Sequence, residues 1–383
     1  MALTTSPLYT ATVLILLVAF SEWISRFRLF RQIGSALIVI LAAAALANLG
    51  LIATAHNAPP LYEGIFDYIA PVAIFFLLLD VRLKDLRLAG WPMLLMFGLG
   101  SVTTIVGTIV GYRLVAPSVH GVPNGFAIAG MFTGTYIGGS VNLNAVALHY
   151  GVTKDGTLFA AVNAADNIIT TVWIVATLVL PPLLQRWFPR KIATVLPTSA
   201  SIDLAPLDAR ESIDVLNVSL LLALGLGSLL VAQFVSRFLP ALPAVLVLTT
   251  IALALAQVPA VQKLRGARTL GYLAVLLFLA VIGAYCDLGA LVANGSVALL
   301  LLKWVSVIVF VHAFLLFVIG GFCRQDWAII SVASNANIGG ATSAGVLATA
   351  LGRDDLRLPG ILVGSLGNAI GTYAGIFVAE WLR

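Results

Sequence analysis

Apolar residues in this chain come in long unbroken blocks rather than in alternation. The blocks fall near 8–24, 34–54, 63–80, 91–115, 124–150, 156–183, 215–235, 239–257, 269–287, 297–320, 327–351 and 358–381. A helix of roughly 20 apolar residues crosses about 30 Å of hydrocarbon, so each block predicts a membrane helix. A single sizeable polar interval, 184–214, interrupts the series, and it contains RWFPRKIATVLPTSASIDLAPLDARESID. That interval splits the chain into two halves of six segments each.

Composition sharpens this picture into a class. Of 383 residues, 61% are hydrophobic and only 10% charged, with a mean hydropathy of +1.06. So little charge cannot cover the surface of a soluble domain, and an all-α polytopic membrane protein is expected. The net charge of +5 is scattered over short loops, which removes any basis for nucleic-acid binding and makes Lys and Arg topology signals. Cys286 and Cys323 lie in or beside apolar segments and provide neither a disulfide framework nor metal-ligand spacing. The N-terminal stretch lacks the basic region of a signal peptide, so a retained first helix is expected.

Within the two halves the polar positions repeat. TYIGGSVNLNAVALHYG (135–151) aligns with ANIGGATSAGVLATALG (336–352), and the same offset of 201 sets VNAADNIITT (162–171) over VGSLGNAIGT (363–372). Charge opposes the two halves. Loops 24–31 and 82–87 are basic in the first half, whereas 263–268 is the basic loop of the second and corresponds to a neutral one in the first. Opposite charge at equivalent loops implies opposite orientation, so the repeats are expected to be inverted, with the N-terminus outside. Their extents are 1–183 and 215–383, joined by the linker 184–214. Six crossings in each half would leave the halves parallel, so inversion requires the linker to enter the membrane or one segment to stop short.

Glycine-interrupted polar centres at corresponding places in two inverted halves point to the binding site of a secondary transporter. Interrupted backbone is tolerated at membrane depth only against protein or a water-filled cavity. Breaks are therefore expected at 137–142 and 338–343. Around them stand Thr133, Gly138, Gly139, Ser140, Asn142 and Asn144 in the first half, and Asn335, Asn337, Gly339, Gly340, Thr342 and Ser343 in the second. Glycines that merely allow close helix packing are the competing account. Asp166 sits mid-segment, and helical spacing sets Asn163, Asp166, Asn167 and Thr170 on one face. An ionisable group at that depth costs at least about 2.5–3.5 kcal/mol, so it should meet a cavity or a partner, and a carboxylate that exchanges a proton for Na⁺ is the functional reading. The competing account is a protonated acid hydrogen-bonded between helices. The equivalent face of the second half, Ser365, Asn368 and Thr372, is neutral. Lys303 is read as an interfacial side chain or a counter-charge to Asp166, and His312 as a packed hydrogen-bonding residue. Asp80 and Asp287 end the third segments. Motifs for metalloprotease, nucleotide-binding or serine-hydrolase chemistry are absent from the sequence.

At these residues a resemblance emerges. GTYIGGSVNLNAVA, followed much later by ASNANIGGATSAGVLATALGRDDLRLPGILVGSLGNAIGTYAGI, looks like the YjcL-like bacterial membrane proteins, a family of unknown function grouped with the cation/proton antiporter and anion transporter superfamily. The resemblance spans essentially the whole chain. It implies a sodium/proton-antiporter-like fold with two inverted repeats and two crossing broken helices. Core helices would then occupy 91–183 and 297–381, and panel helices, which also form the contact of a homodimer, 8–80 and 215–287. In antiporters of that fold the helix after the first broken one carries Asp-Asp or Asn-Asp at the ion site; here it carries the reversed pair Asp166–Asn167.

These readings lead to a secondary active transporter of the inner membrane that is not an enzyme. It would carry a small organic solute such as a carboxylate, amino acid or short peptide by alternating access, with Na⁺ or H⁺ as coupling ion and no other cofactor or metal. Asp166, Asn163, Asn167 and Thr170 would bind the cation and the two broken centres the solute. A cation/proton antiporter without an organic substrate is the alternative, and a non-transporting sensor or scaffold a more remote one.

Overall fold

Helices begin where the sequence supplies caps. Asp155 accepts from the backbone of Leu158 at 3.0 Å, Asp326 from that of Ala328 at 2.9 Å, and prolines stand in the first turns at Pro7, Pro60 and Pro92, where a missing N–H costs nothing. The computed structural model describes residues 6–27, 30, 34–117, 120–190, 214–239, 242–286 and 295–383, and their regular structure is helical throughout. Fourteen helices carry the argument: α1 (Pro7–Ile24), α2 (Gly34–Asn48), α3 (Pro60–Leu78, with a π-helical turn at Ile65–Ile69), α4 (Trp91–Val115), α5 (Gly125–Gly138), α6 (Ser140–His149), α7 (Gly156–Trp187), α8 (Val215–Phe238), α9 (Ala244–Leu255), α10 (Ala267–Ala284), α11 (Gly295–Phe322), α12 (Trp327–Ile338), α13 (Gly340–Ala350) and α14 (Arg357–Leu382). Eight helices of the described residues are long and apolar enough to cross a membrane, and the protein is an all-α polytopic membrane protein.

Boundaries deviate from the hydropathy pattern where proline or glycine intervenes. The segment expected at 239–257 yields only α9, which starts after Pro243. By contrast α7 runs through Pro181 and Pro182 to Trp187, past the end of its apolar block. Its 32 residues span roughly 48 Å, more than a hydrocarbon layer. Outward-facing Ile168, Val172, Val175 and Val179 recur at three- and four-residue spacing on α7 and give it a lipid-facing stripe. Residues 191–213 of the polar linker and Asp287 lie outside the described residues, as do 28–29 and 31 of the first basic loop and 32–33 after it.

Glycine sets how closely the helices approach. Along α5, Gly130, Gly134 and Gly138 face Gly375, Gly371 and Gly367 of α14, an antiparallel ladder with one rung per helical turn. A β-carbon at Gly130 would lie 2.6 Å from the Gly375 carbonyl oxygen, one at Gly375 2.6 Å from that of Gly130, and one at Gly371 2.8 Å from that of Gly134; at Gly138 and Gly367 the collision is closer still. Elsewhere α4 presses Gly107 against the Ile308 backbone and Gly111 against the Trp304 ring of α11, while Gly283 of α10 meets the Ile40 backbone of α2. Small residues thus buy the backbone proximity that helix association in lipid depends on.

Both interruptions are single glycines. Gly139, with φ +91°, separates α5 from α6, and Gly340, with φ +79°, opens α13 behind α12. Residues with a β-carbon rarely adopt such φ values. In each pair the preceding glycine serves space instead: a β-carbon at Gly138 would strike the Gly367 backbone, and one at Gly339 the Ser343 side chain. The two breaks meet, since a β-carbon at either Gly139 or Gly340 would stand 4.0 Å from the other's Cα.

Overfilling the ladder should therefore be costly. Gly375→Val is expected to lower stability by about 1–3 kcal/mol. Gly227→Ala, at a helical position of α8 with open space around it, should be neutral or gain up to about 1 kcal/mol. Thermal unfolding in detergent checks both.

Candidate functional site

Where the breaks meet, polar side chains gather that their neighbours do not fully satisfy. Asn142, fully buried one turn into α6, accepts a hydrogen bond from the Thr372 hydroxyl of α14 at 2.7 Å. Its amide nitrogen has no partner and faces Gly371 and Gly138. Asn335, fully buried in the last turn of α12, donates to Thr177 of α7 at 2.9 Å, and its side-chain oxygen is left unpaired. Ser343 closes onto the break by donating to the Gly340 carbonyl at 3.0 Å. Asn368 of α14 directs Oδ1 at Gly139, 3.8 Å from where a β-carbon would stand. Ser140 and Thr342 stand exposed in the first turns after the breaks.

Asp166 is 7% exposed on α7. Thr135 and Tyr136 from the last turn of α5, with Thr170 from its own helix, lie within interaction distance of its carboxyl group. Nevertheless neither its Oδ1 nor the Tyr136 hydroxyl closes a hydrogen bond of ordinary geometry, and both are buried. A buried carboxylate oxygen and a buried phenol left open toward each other amount to an unmet demand for a proton or a cation, because burial without a partner costs several kcal/mol. The other members of the expected cation face behave differently. Asn167 donates to both the side chain and the carbonyl of Asn163, each at 2.8 Å, so its amide nitrogen is engaged on its own helix, while Thr170 lies within reach of Asp166.

Several sequence candidates serve the surrounding packing. Thr133 donates to Ala129 O at 2.9 Å and lies 3.1 Å from the Thr108 hydroxyl, at the seam between α4 and α5. Asn337 turns toward α4; with its amide oriented as the surrounding donors and acceptors require, its nitrogen donates to the Phe97 carbonyl of α4 and to the Ala333 carbonyl of its own helix, and its oxygen accepts from Ser101. Ser365 donates back to Ile361 O on its own helix. Lys303 is exposed and enters no ion pair among the described residues, which accords with an interfacial side chain. His312 is fully buried and hydrogen-bonded at both ring nitrogens. Cys286 is buried and Cys323 exposed, with no disulfide between them, and Asp80 is exposed.

Tyr136, Thr135 and Thr177 went unnoticed in the sequence. Tyr136 sits inside the motif itself but reads as an ordinary membrane aromatic. Thr177 belongs to a stripe, Asp166–Thr170–Trp173–Thr177, whose three- and four-residue steps continue the candidate face further along α7 than the polar cluster suggested.

A profile described as "Protein of unknown function (DUF819)" matches residues 8–383. The chain belongs to the DUF819 family. It is similar to the "Uncharacterized membrane protein YjcL" of Bacillus subtilis (strain 168), 28% identical over 375 residues that cover 93% of this chain and 91% of the relative. The Gly-Gly breaks and Asp166 thus lie within a match that runs over nearly the whole membrane unit of a DUF819 protein.

The Asn142–Thr372 bond offers a check on the site's construction. Thr372→Val should destabilise the protein by about 1–3 kcal/mol, the cost of leaving a buried amide without its partner, whereas Thr372→Ser should retain most of the stability. Chemical or thermal unfolding of the purified variants in detergent measures this.

Proposed function

We propose that this protein is a secondary active transporter that couples a Na⁺ or H⁺ gradient to symport of a small organic solute. One observation supports this above all. The buried Asp166 carries a carboxylate oxygen without a hydrogen-bond partner, opposite an equally unpartnered Tyr136 hydroxyl, on the α5 side of the place where two interrupted helices touch. A fixed structural acid would be expected to have both oxygens occupied. An oxygen left open suits an occupant that comes and goes.

On this reading Asp166 with Thr170 and the Thr135–Tyr136 turn takes the cation, and Asn163 and Asn167 brace α7 beside it. The solute sits against the breaks, where Asn142, Asn335, Asn368, Ser140 and Thr342 offer donors and acceptors. The amino ends of α6 and α13 favour a carboxylate there, because helix N-termini carry partial positive charge. An amino acid, short peptide or organic acid meets that description. The wider architecture belongs to the same proposal: a sodium/proton-antiporter-like fold of the cation/proton antiporter and anion transporter superfamily, built from inverted repeats 1–183 and 215–383. Core helices 91–183 and 297–381 move against a dimeric panel in the inner membrane. Neither an enzymatic step nor a cofactor besides the coupling ion takes part.

Purified protein reconstituted into vesicles tests this. Solute uptake should follow an imposed Na⁺ or H⁺ gradient, and Asp166→Ala should reduce gradient-driven uptake by at least about tenfold, the effect of losing roughly 1.4 kcal/mol or more of coupling. Lys303→Gln should leave uptake unchanged. A pH-sensitive dye responding to Na⁺ or K⁺ alone, with no solute required, would favour cation/proton antiport instead. Uptake indifferent to both gradients would refute the coupling.

A further inference from the structure

One imidazole joins the helices around the breaks, and the atoms facing it settle which of its nitrogens carries the proton. His312 lies midway along α11 and is fully buried. Its Nδ1 is 3.0 Å from the Gly100 carbonyl oxygen, 3.0 Å from the Thr104 hydroxyl and 3.2 Å from the Thr103 hydroxyl, all on α4. Its Nε2 is 2.8 Å from the Ser334 hydroxyl of α12. A carbonyl only accepts, so the nitrogen facing Gly100 bears a hydrogen. Both threonines give their own protons elsewhere, Thr103 to Gly100 O at 2.9 Å and Thr104 to the Tyr136 carbonyl at 3.1 Å, so they too present lone pairs to Nδ1. On the opposite side the Trp173 indole, a donor only, donates to Ser334 Oγ at 3.0 Å. Ser334 therefore has its own proton free to give to Nε2. The neutral Nδ1–H tautomer fits this cluster: its one hydrogen faces the Gly100 carbonyl with the two threonine oxygens beside it, and the bare Nε2 accepts from Ser334. The reverse tautomer would set a bare Nδ1 lone pair against the Gly100 carbonyl.

We propose that His312, held as the Nδ1–H tautomer, is the positioning residue that clamps the two broken helices to each other and to the Asp166 helix. Its reach follows from the bonds. Through Thr104 it holds the Tyr136 backbone at the end of α5, and through Ser334 it holds α12 four residues before that helix ends. Through Ser334 and Trp173 it holds α7 two turns beyond Asp166. Gly100 leaves room for this approach, since a β-carbon there would lie 3.3 Å from His312 Cε1 and would collide with the Asn337 side chain. His312 touches neither ion nor solute. It fixes where Tyr136 stands relative to Asp166, a consequence that rests on the transport reading above; the tautomer and the clamp do not.

Full-length protein in lipid nanodiscs, ¹⁵N-labelled at its four histidines and seven tryptophans, tests the clamp, with His312→Asn identifying the relevant signals. The expected spectrum has a protonated Nδ1 and a bare Nε2 for His312, and the Trp173 indole N–H resonance should move when the imidazole is removed. A protonated Nε2, or a ring protonated at both nitrogens, would overturn the assignment. For positioning, the readout is the apparent affinity of wild type, His312→Asn and His312→Leu for the coupling ion, with Na⁺ or pH as the titrant. His312→Leu should weaken it by about tenfold or more, as loss of an orienting partner does at ion sites, and His312→Asn, which restores a donor toward Gly100, should recover part of that loss. Equal affinities in all three would reduce His312 to packing and overturn the proposal. A wild type that responds to neither ion would defeat the transport reading, while the spectrum would still decide the clamp.

Discussion

Backbone contact between α5 and α14 is the constraint on which the rest of this structure depends. Gly130, Gly134 and Gly138 meet Gly375, Gly371 and Gly367 along the two backbones, with the Asn142 side chain lying against Gly134, Gly138 and Gly371. In lipid, helices gain little from hydrophobic burial against one another, so such proximity, with the dispersion and polar contacts it allows, supplies the association energy. The last rung, Gly138 against Gly367, lies directly before the left-handed Gly139. A broken helix facing lipid would expose unpaired backbone; this one breaks where another helix already touches it. The ladder also carries the Asn142–Thr372 bond, so the same approach that packs the helices puts an amide at the crossing.

Tight packing and unmet polarity coexist here, and their contrast is informative. Beside the crossing, at Gly138, Gly339, Gly367 and Gly371, the packing leaves no room for a β-carbon, yet the side-chain atoms Asn142 Nδ2, Asn335 Oδ1, Asp166 Oδ1 and the Tyr136 hydroxyl are buried without partners. Each such atom costs on the order of 1–3 kcal/mol. A protein that tolerates several within one region, while satisfying His312, Thr103, Thr104, Ser334 and Trp173 close by, separates a rigid polar clamp from an open polar site. Rigidity beside openness is what the proposed ion site would require, a clamp holding the geometry that a bound cation would complete.

How much of this could be read from the chain itself depended on the period of each signal. Length and continuity of apolar runs located the membrane helices, and α4, predicted at 91–115, matches residue for residue. The Gly-Gly pairs located both breaks, because a glycine pair amid polar residues in an apolar run has few other uses. What hydropathy could not convey was which polar residues face which. Asn142 and Asn337 look alike in sequence, yet one is left with an unpaired amide at the crossing and the other is fully bonded against α4. His312 looked solitary because its partners lie more than 200 residues away on α4 and 22 away on α12. The four-residue glycine spacing of α5 and α14 was present in the sequence, but a pairing between residues 130 and 375 leaves no local trace.

The site exists only if the two breaks touch within the membrane. Cysteines at Ser140 and Thr342, both exposed just past the breaks, in a chain with Cys286 and Cys323 replaced, address this directly. The approach of Gly139 to Gly340 and three Cα steps of about 3.8 Å place the two positions within roughly 17 Å. A bifunctional thiol reagent of that reach, added to native membranes, should link the pair within one chain, seen as a shift on proteolysis between them. Full labelling of each single cysteine by a monofunctional reagent, with no link formed in the pair, would contradict the crossing and the site built upon it.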